Sequence, residues 1–172
     1  MMRALISDSI PNLLVMQYSP EWFVLNLMLI PSFFFSPAAI QKRKPLGPNA
    51  RRSGWVGCNI LLSEIAQDGK IQIVSQGTCL SPHVVRERYE RVRPLSQVAA
   101  RSRGWTLDVL RIIRDIGDTR FCLSDVYAQE SMLATIYPKN RNIRPKIRQQ
   151  LQVLRDLGYI RFEGRGQYAL LQ

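Results

Sequence analysis

The sequence has little of the chemistry that metal sites and disulfides need. Its one histidine is His83, and its three cysteines are Cys58, Cys79 and Cys122. The cysteines are widely separated, form no C-x-x-C pair and have no histidine at ligand spacing, so neither a zinc site nor a disulfide framework is indicated. Unpaired cysteines are typical of a reducing compartment, and we expect a cytoplasmic protein. His83 follows Pro82 with no acidic partner nearby, which favours a surface residue over a general base.

Long apolar runs are also lacking. The most apolar stretch, residues 22–35, is too short for a membrane-spanning helix and contains Asn26 and Pro31, so it is more typical of a buried strand. The first residues do not have the basic, apolar and small-residue sections of a signal peptide. The sequence therefore predicts no membrane partner.

The charge of the chain is strongly positive. Lysine and arginine number 24 against 13 aspartates and glutamates, a formal net charge of +11. A surface this basic attracts polyanions, and nucleic acid is the partner we expect, although binding to acidic lipid or charge kept for solubility fits the same balance. The length of 172 residues suits two small domains better than one.

The first part of the chain has the pattern of β-strands. Residues 11–19 (PNLLVMQYS) and 22–30 (WFVLNLMLI) are apolar runs of strand length separated by a turn, which predicts a hairpin. Both runs are apolar on both faces, so they need cover that the following sequence does not supply. Ser36 and Pro37 are typical of the start of a helix and predict a short one, PAAIQKRK, that Pro45 ends.

A second strand region and a boundary follow. The alternating segment KIQIV, residues 70–74, predicts a strand, with a turn at Gln76 and Gly77. Residues 81–103 mix charges of both signs, as a solvated helix or a linker does. We place a domain boundary near Arg103, giving domains at 1–102 and 103–172.

After this boundary the apolar residues recur with the period of a helix. A first helix contains Trp105 and ends at Gly117, Ser124 caps a second helix, and a third ends at Gly158. Residues 159–170 (YIRFEGRGQYAL) then alternate on both sides of a glycine-rich tip, which predicts a β-hairpin. Three helices and a hairpin are the elements of a winged helix, so the predicted fold class is α+β.

The third helix has an apolar face and an opposite face that is basic and rich in amides. The side chains that we select as DNA contacts on this helix are Arg144, Lys146, Arg148, Gln149 and Gln152. Arginine pairs with the two acceptors of guanine and glutamine with the donor and acceptor of adenine, so this face suits reading of the major groove. Arg165 at the hairpin tip is placed to reach a phosphate or a minor groove. A winged helix that only contacts proteins remains the alternative.

Two segments resemble a known family closely. RKPLGPNARRSGWVGCNI, residues 43–60, and KIRQQLQVLRD, residues 146–156, are similar to the DpnI-like, or Dam-replacing, restriction endonucleases. The resemblance covers essentially the whole chain. It implies a type II, methyl-directed enzyme that cuts double-stranded DNA at GATC containing N6-methyladenine. It also implies a PD-(D/E)XK nuclease domain followed by a C-terminal winged helix, with Mg²⁺ and structural zinc in the full-length family protein.

The sequence departs from this family in its catalytic residues. The family's metal-binding Asp, its Glu-x-Lys and its zinc cysteines have no counterpart here, so we expect residues 1–102 to be a truncated nuclease domain without catalytic residues, metal or cofactor. The chain then binds DNA without cutting it, and the missing N-terminal nuclease portion is a candidate partner. Asp68 and Lys70 spell D-x-K, but hydrolysis needs a second converging carboxylate, which Glu64 has no reason to provide.

Three residues of the first matching segment are candidate DNA contacts. The resemblance places this segment where the nuclease domain faces its target. Trp55 between glycines would pack against the adenine methyl group, while a tryptophan in the core is the plainer alternative. Arg51 and Arg52 are expected to contact phosphates. Two other functions remain open: a stand-alone winged-helix transcription regulator and an interaction scaffold.

Overall fold

The chain is described here by a computed structural model that covers residues 4, 5 and 7–171. Within that range the first part of the chain forms a four-stranded sheet and a two-stranded ribbon, and the second part combines helices with a three-stranded sheet. No helix among the described residues combines the length and the apolar character needed to cross a bilayer.

The four-stranded sheet begins with the predicted hairpin. Strands β1 (Leu13–Tyr18) and β2 (Val24–Ile30) pair antiparallel, which confirms that prediction. Strands β5 (Ile71–Ser75) and β6 (Thr78–Cys79) complete the order β1-β2-β5-β6. Gln76 and Gly77 between them both have positive φ, of 48° and 77°, as the turn of a two-residue hairpin requires. The predicted strand and turn at 70–77 are confirmed.

The β1–β2 hairpin is poorly covered, as its sequence predicted. The side chains of Leu14, Met16 and Tyr18 on β1 are exposed, and Trp22 and Phe23 at the hairpin turn are 81% and 71% exposed. The prediction of a single buried strand over residues 22–35 is therefore wrong in part. The strand covers only residues 24–30, and residues 32–34 form a 3-10 turn that carries buried phenylalanines into the core.

The helix predicted at residues 37–44 is wrong. Residues Ile40–Lys42 form strand β3, which pairs antiparallel with β4 (Cys58–Ile60) in a two-stranded ribbon. The reason is tertiary: Ala39 is fully buried, and its carbonyl accepts a hydrogen bond from the distant Leu61 N–H at 2.9 Å. Ser36 does not cap a helix, because its hydroxyl is bonded to a carboxylate far along the chain.

Two helices connect the two parts of the chain. The sequence left a solvated helix or a linker open for residues 81–103, and the structure has a helix there, α1 (Pro82–Val92). Ser81 accepts a hydrogen bond from the Val84 N–H at its start. After a 3-10 turn, α2 (Ala100–Ile116) begins, so the boundary drawn at Arg103 falls inside the first turn of this helix. Gly117 ends α2 with a φ of 80°, as predicted.

The second part contains the predicted helices, with one difference. The second predicted helix is divided into α3 (Leu123–Tyr127) and α4 (Glu130–Ile136). Its N-cap is Cys122 rather than Ser124, which lies inside α3. The Cys122 N–H donates to the Asp125 carboxylate at 2.7 Å, which fixes the start of the helix at this position.

The last helix and the hairpin match the sequence closely. Helix α5 (Ile143–Asp156) is followed by Gly158 with a φ of 80°. Strands β8 (Ile160–Gly164) and β9 (Gln167–Leu170) form the hairpin, and β7 (Arg120–Cys122) joins its β9 edge. Ile160 pairs with Leu170 and Phe162 with Tyr168, in the predicted register.

Helix α2 holds the two parts together through polar contacts as well as core packing. Its apolar face, which includes Val109, Leu110 and Ile113, lies in a core shared by both parts. Four of its charged side chains bind groups from the first part, in the pairs Arg103–Asp8, Asp108–Ser36, Arg111–Glu64 and Arg114–Asp68. Such charge-assisted contacts fix an orientation as well as adding stability.

Candidate nucleic-acid interface

Helix α5 presents one face to the core and the other to solvent. Ile143, Ile147, Leu151 and Leu154 are buried, as their spacing predicted. The opposite face carries the exposed side chains of Arg144, Arg148, Gln149 and Gln152, while Lys146 is half-buried at its edge. The structure thus places all five predicted contact residues of this helix outside its core-facing side.

Arg148 and Gln152 are the most available of these side chains. They lie four residues apart on a helix, so they are neighbours on the same surface. Within the described part of the chain, neither has an intramolecular hydrogen bond or ion pair. Because no other described residue occupies the polar atoms of these two side chains, both are available to bind base edges.

Three other predicted residues of α5 have partners within the protein. The Arg144 Nε donates to the Glu130 carboxylate at 2.7 Å, and its guanidinium lies 5.1 Å from the centre of the Tyr127 ring. The Lys146 Nζ donates to the Gln149 Oε1 at 2.8 Å. Their contacts with DNA stay predictions, and for Arg144 the contact requires DNA to share or replace the Glu130 pair.

The β8–β9 hairpin exposes a single arginine at its tip. Gly164, Arg165 and Gly166 all have positive φ, and the flanking glycines allow the tight turn. The hairpin's other cation, Arg161, is paired with Glu163 at 2.8 Å, and Arg120 on β7 binds the same carboxylate at 3.1 Å. The hydrogen bond from Arg161 lowers the pKa of Glu163, which favours the ionised carboxylate. Arg165 is exposed and stands apart from this network.

The turn before α5 adds cations that the sequence reading missed. Lys139 and Arg141 line a shallow cleft of about 660 Å³, together with Asn140 and Asn142. The floor of the cleft contains Trp105 and Tyr137, whose rings stack with centres 4.0 Å apart. The signal was present in the segment PKNRN, which places two cations and two amides in the turn that leads into α5.

Arg51, Arg52 and Trp55 lie together on the loop that joins β3 to β4. Backbone hydrogen bonds extend the ribbon into this loop, including one of 2.9 Å from the Leu46 N–H to the Trp55 carbonyl. All three side chains are exposed, and Trp55 is 53% exposed, so it is not a core tryptophan. Its ring lies against Gly57, where a Cβ atom would be only 2.9 Å from a ring carbon.

The D-x-K segment is engaged in ion pairs. Asp68 accepts two hydrogen bonds from the Arg114 guanidinium, at 2.6 and 2.9 Å, and Glu64 pairs with Arg111 at 3.0 Å. The two carboxylates face different arginines and do not fit a shared Mg²⁺ site. In residues 4, 5 and 7–171, no group of three or more His, Cys, Asp or Glu side chains is arranged to hold a metal ion.

The histidine and the cysteines have no shared site. His83 is exposed on α1, as predicted. Cys79 and Cys122 are exposed, Cys58 is half-buried, and all three are free thiols.

The second part of the chain therefore has the architecture of a DNA-binding module: a helix pair with a short turn, an exposed basic face on the second helix, and a hairpin beside it. Comparison with family models agrees. Residues 101–169 match the Dam-replacing HTH domain, a helix-turn-helix domain, and residues 1–98 match the Dam-replacing family. The chain belongs to the Dam-replacing family.

Proposed function

We propose that the chain binds double-stranded DNA and prefers GATC sites that contain N6-methyladenine. The observation that carries this proposal is the pair Arg148 and Gln152, exposed on one face of α5 with polar atoms that no other described residue occupies. An arginine and a glutamine on adjacent turns suit one guanine and one adenine in neighbouring base pairs. Arg165 at the hairpin tip then contacts the DNA backbone.

The loop between β3 and β4 provides a second contact in this proposal. Arg51 and Arg52 bind phosphates, and the exposed ring of Trp55 packs on the methyl group of the adenine. An aromatic face suits this role, because a methyl group in the groove is recognised by apolar contact. The Trp55 ring is supported on one side by Gly57, which leaves its outer surface for a ligand.

We assign cleavage of the DNA strands to a separate nuclease portion and not to the described residues of this chain. Asp68 and Glu64 are each bound to an arginine of α2, so we propose that this chain binds its site without hydrolysing it. The partner would be a nuclease portion of the PD-(D/E)XK type, with its own Mg²⁺ and zinc. Strand β1 lies at the edge of its sheet, and the exposed face that includes Leu14 and Met16 suits the addition of apolar strands.

DNA binding is tested with matched duplexes. Fluorescence anisotropy compares one GATC duplex in methylated and unmethylated form with a scrambled duplex at several salt concentrations. We expect tighter binding to the methylated duplex and a salt-dependent affinity for all three. Equal affinity for both GATC duplexes would instead identify a methylation-independent regulator. A lack of salt-sensitive DNA binding would leave only an interaction scaffold.

The partner is tested by complementation. Methylated plasmid is incubated with Mg²⁺ and this chain, with and without the nuclease segment of another Dam-replacing family protein. We expect cleavage only in the mixture, and we expect Leu14→Asp to abolish it by placing a charge on the exposed face of β1. Cleavage by the chain alone would refute this assignment. We place the protein in the cytoplasm, because its three cysteines are free thiols, as is usual in a reducing compartment.

A further inference from the structure

A basic cleft lies at the junction of the two parts of the chain, away from the residues assigned above. Its larger section, of about 440 Å³, is lined by four cations, Lys70, Arg88, Arg91 and Arg114, and Asp68 is the one acidic group among its described lining residues. A smaller section of about 150 Å³ shares Asp68, Arg91 and Arg114, and continues to the residues between α5 and β8. Segments from both parts of the chain therefore form its walls.

The walls of this cleft are fixed by hydrogen bonds. The Tyr159 hydroxyl, just before β8, donates to the Arg91 carbonyl at the end of α1, at 3.2 Å. Burial raises the pKa of Tyr159 above its usual value, so the phenol keeps the proton that it donates. Arg114 on α2, which also lines the cleft, holds Asp68 through two hydrogen bonds. The cations are thus presented on a framework that is already formed.

The described residues that line the cleft carry more positive than negative charge. The Arg114 guanidinium offsets the Asp68 carboxylate at its floor. Arg91 forms an ion pair with the exposed Glu87 carboxylate, one turn earlier on α1. Lys70 and Arg88 have no acidic partner in the part of the chain that the structure describes, so the cleft retains excess positive charge.

We propose that this cleft is a phosphate-binding site. A phosphate group offers several strong acceptor oxygens, which cations approaching from separate walls can share. The floor beside the cations includes the buried Ile71 and Val92, which lower the local dielectric and strengthen such contacts. The phosphate comes either from a DNA backbone passing the junction or from a small phosphorylated molecule.

The site is separate from the proposed base-reading surface. The cleft lies beyond α5, where Leu157 and Gly158 line its smaller section. None of its described lining residues is among the proposed base-reading side chains, Arg148 and Gln152. Gln152 lies five residues before Leu157, roughly 7.5 Å along the helix axis, so the two sites use different side chains. The inference therefore holds or fails independently of base recognition by α5.

The test is an NMR titration of the full chain with inorganic pyrophosphate at constant ionic strength. We expect chemical-shift changes at the backbone amides of Lys70, Ile71, Arg91 and Tyr159. Arg88→Glu should weaken pyrophosphate binding by about tenfold, because it removes one attraction and adds one repulsion. Arg86→Glu is the matched control, since Arg86 is exposed on the same helix but lines neither section of the cleft.

The source of the phosphate is decided by a second arm with a short GATC duplex. If the duplex shifts the same amides and binds Arg88→Glu more weakly than Arg86→Glu, the ligand is the DNA backbone. If pyrophosphate shifts these amides and the duplex does not, the ligand is a small phosphorylated molecule. The inference is overturned if the chemical-shift changes are no larger than those caused by sodium chloride. It is also overturned if Arg88→Glu and Arg86→Glu lose pyrophosphate affinity equally. If Arg88→Glu fails to fold, Lys70→Glu replaces it in the same comparison.

The two proposals have different readouts. If the duplex does not perturb α5 but pyrophosphate perturbs the cleft, then base recognition fails and the phosphate site stands. If the duplex perturbs α5 and pyrophosphate leaves the cleft unchanged, the phosphate site fails and the DNA-binding proposal stands.

Discussion

The Ser36 hydroxyl donates a hydrogen bond of 2.6 Å to the Asp108 Oδ1, although the two residues are 72 positions apart in the chain. The Tyr137 hydroxyl donates a second bond of 2.6 Å to the Oδ2 of the same carboxylate. Asp108 thus connects the β-rich part of the chain, helix α2 and the residue after α4. Since Tyr137 also stacks on Trp105 beside the turn before α5, this contact sets the position of the helix-turn-helix relative to the first part.

We predict that this contact makes stability depend on pH. Burial raises the pKa of Asp108 to about 6. The hydrogen bonds from Ser36 and Tyr137 and the nearby charge of Arg111 lower this pKa, but by less than burial raises it, and the charge of Glu64 adds a small rise. Between about pH 4 and pH 6 the folded protein therefore binds a proton more readily than the unfolded chain. The stabilisation that comes from this preferential proton binding at Asp108 is fully present below about pH 4 and is lost as the pH rises through about 6. The free energy of unfolding falls by at most about 3 kcal/mol over this range.

The measurement is urea unfolding of the wild type and of Asp108→Asn between about pH 4.5 and pH 7.5, a range of roughly three pH units around the expected transition. The amide cannot ionise and can still bond both hydroxyls, so the variant gains stability relative to the wild type as the pH rises. Taking the difference cancels the other titrating groups, including Asp8 and Glu163, whose pKa values are lowered by arginine partners. A difference that does not change with pH contradicts the prediction.

The fold could be predicted where the signal was local. The hairpin of β1 and β2, the end of α2 at Gly117 and the tip around Arg165 all follow from strand-length runs or glycine positions. Residues 37–44 could not be predicted in this way, because Ser36 and Pro37 form a good local helix start. Their conformation is decided by the pairing of β3 with β4 and by the bond to Asp108, and neither partner is near in the sequence.

We predict that Arg148 and Gln152 determine base preference. Arg148→Ala and Gln152→Ala should each reduce discrimination at particular base pairs by roughly 1 to 3 kcal/mol. The physical reason is that each side chain presents unoccupied polar groups to the groove. The measurement is anisotropy against a panel of single-base variants of the GATC duplex. If both substitutions weaken specific and scrambled duplexes equally, the assignment of α5 to the groove is wrong.

Arg165 has a different expected effect. Arg165→Ala should lower affinity for every duplex by a similar factor, because a contact with the backbone carries no sequence information. The loss of one phosphate contact should also reduce the slope of log affinity against log salt by about 1. Arg161→Ala is the matched control on the same hairpin, since its charge is already shared with Glu163. A change in base preference in Arg165→Ala would contradict a backbone role.

The candidate site could be predicted only in part, because periodicity assigns a face but no partners. It placed Arg144 and Arg148 on the same outer surface, yet only the folded arrangement brings Glu130 and Tyr127 to Arg144. The family resemblance likewise left two positions open for Trp55, on the DNA-facing surface or in the core, and in the structure its ring is exposed on the loop between β3 and β4. Periodicity placed Gln149 and Gln152 on the outer face and made no prediction for Gln150, which the structure buries.

Gln150 is a buried residue of the core, and we predict that it supports stability rather than DNA contact. Its Oε1 accepts a hydrogen bond of 2.7 Å from the Thr106 hydroxyl on α2, and both side chains are inaccessible to solvent. Thr106→Val preserves the shape of the side chain but removes the donor, so a buried acceptor loses its partner. We expect a loss of about 1 to 3 kcal/mol in the free energy of unfolding, measured by urea denaturation.

Two comparisons distinguish this hydrogen bond from a general effect of substitution. Thr106→Val combined with Gln150→Leu should recover most of the loss, because replacing both polar partners with apolar groups of similar shape is nearly neutral. Gln152→Ala, on the exposed face of the same helix and without a side-chain hydrogen bond among the described residues, should change stability by about 0.5 kcal/mol or less. If Thr106→Val costs no more than Gln152→Ala, the buried bond does not stabilise the packing of α5 on α2. Since that packing sets the orientation of Arg148 and Gln152, the same experiment measures how firmly the proposed reading face is held.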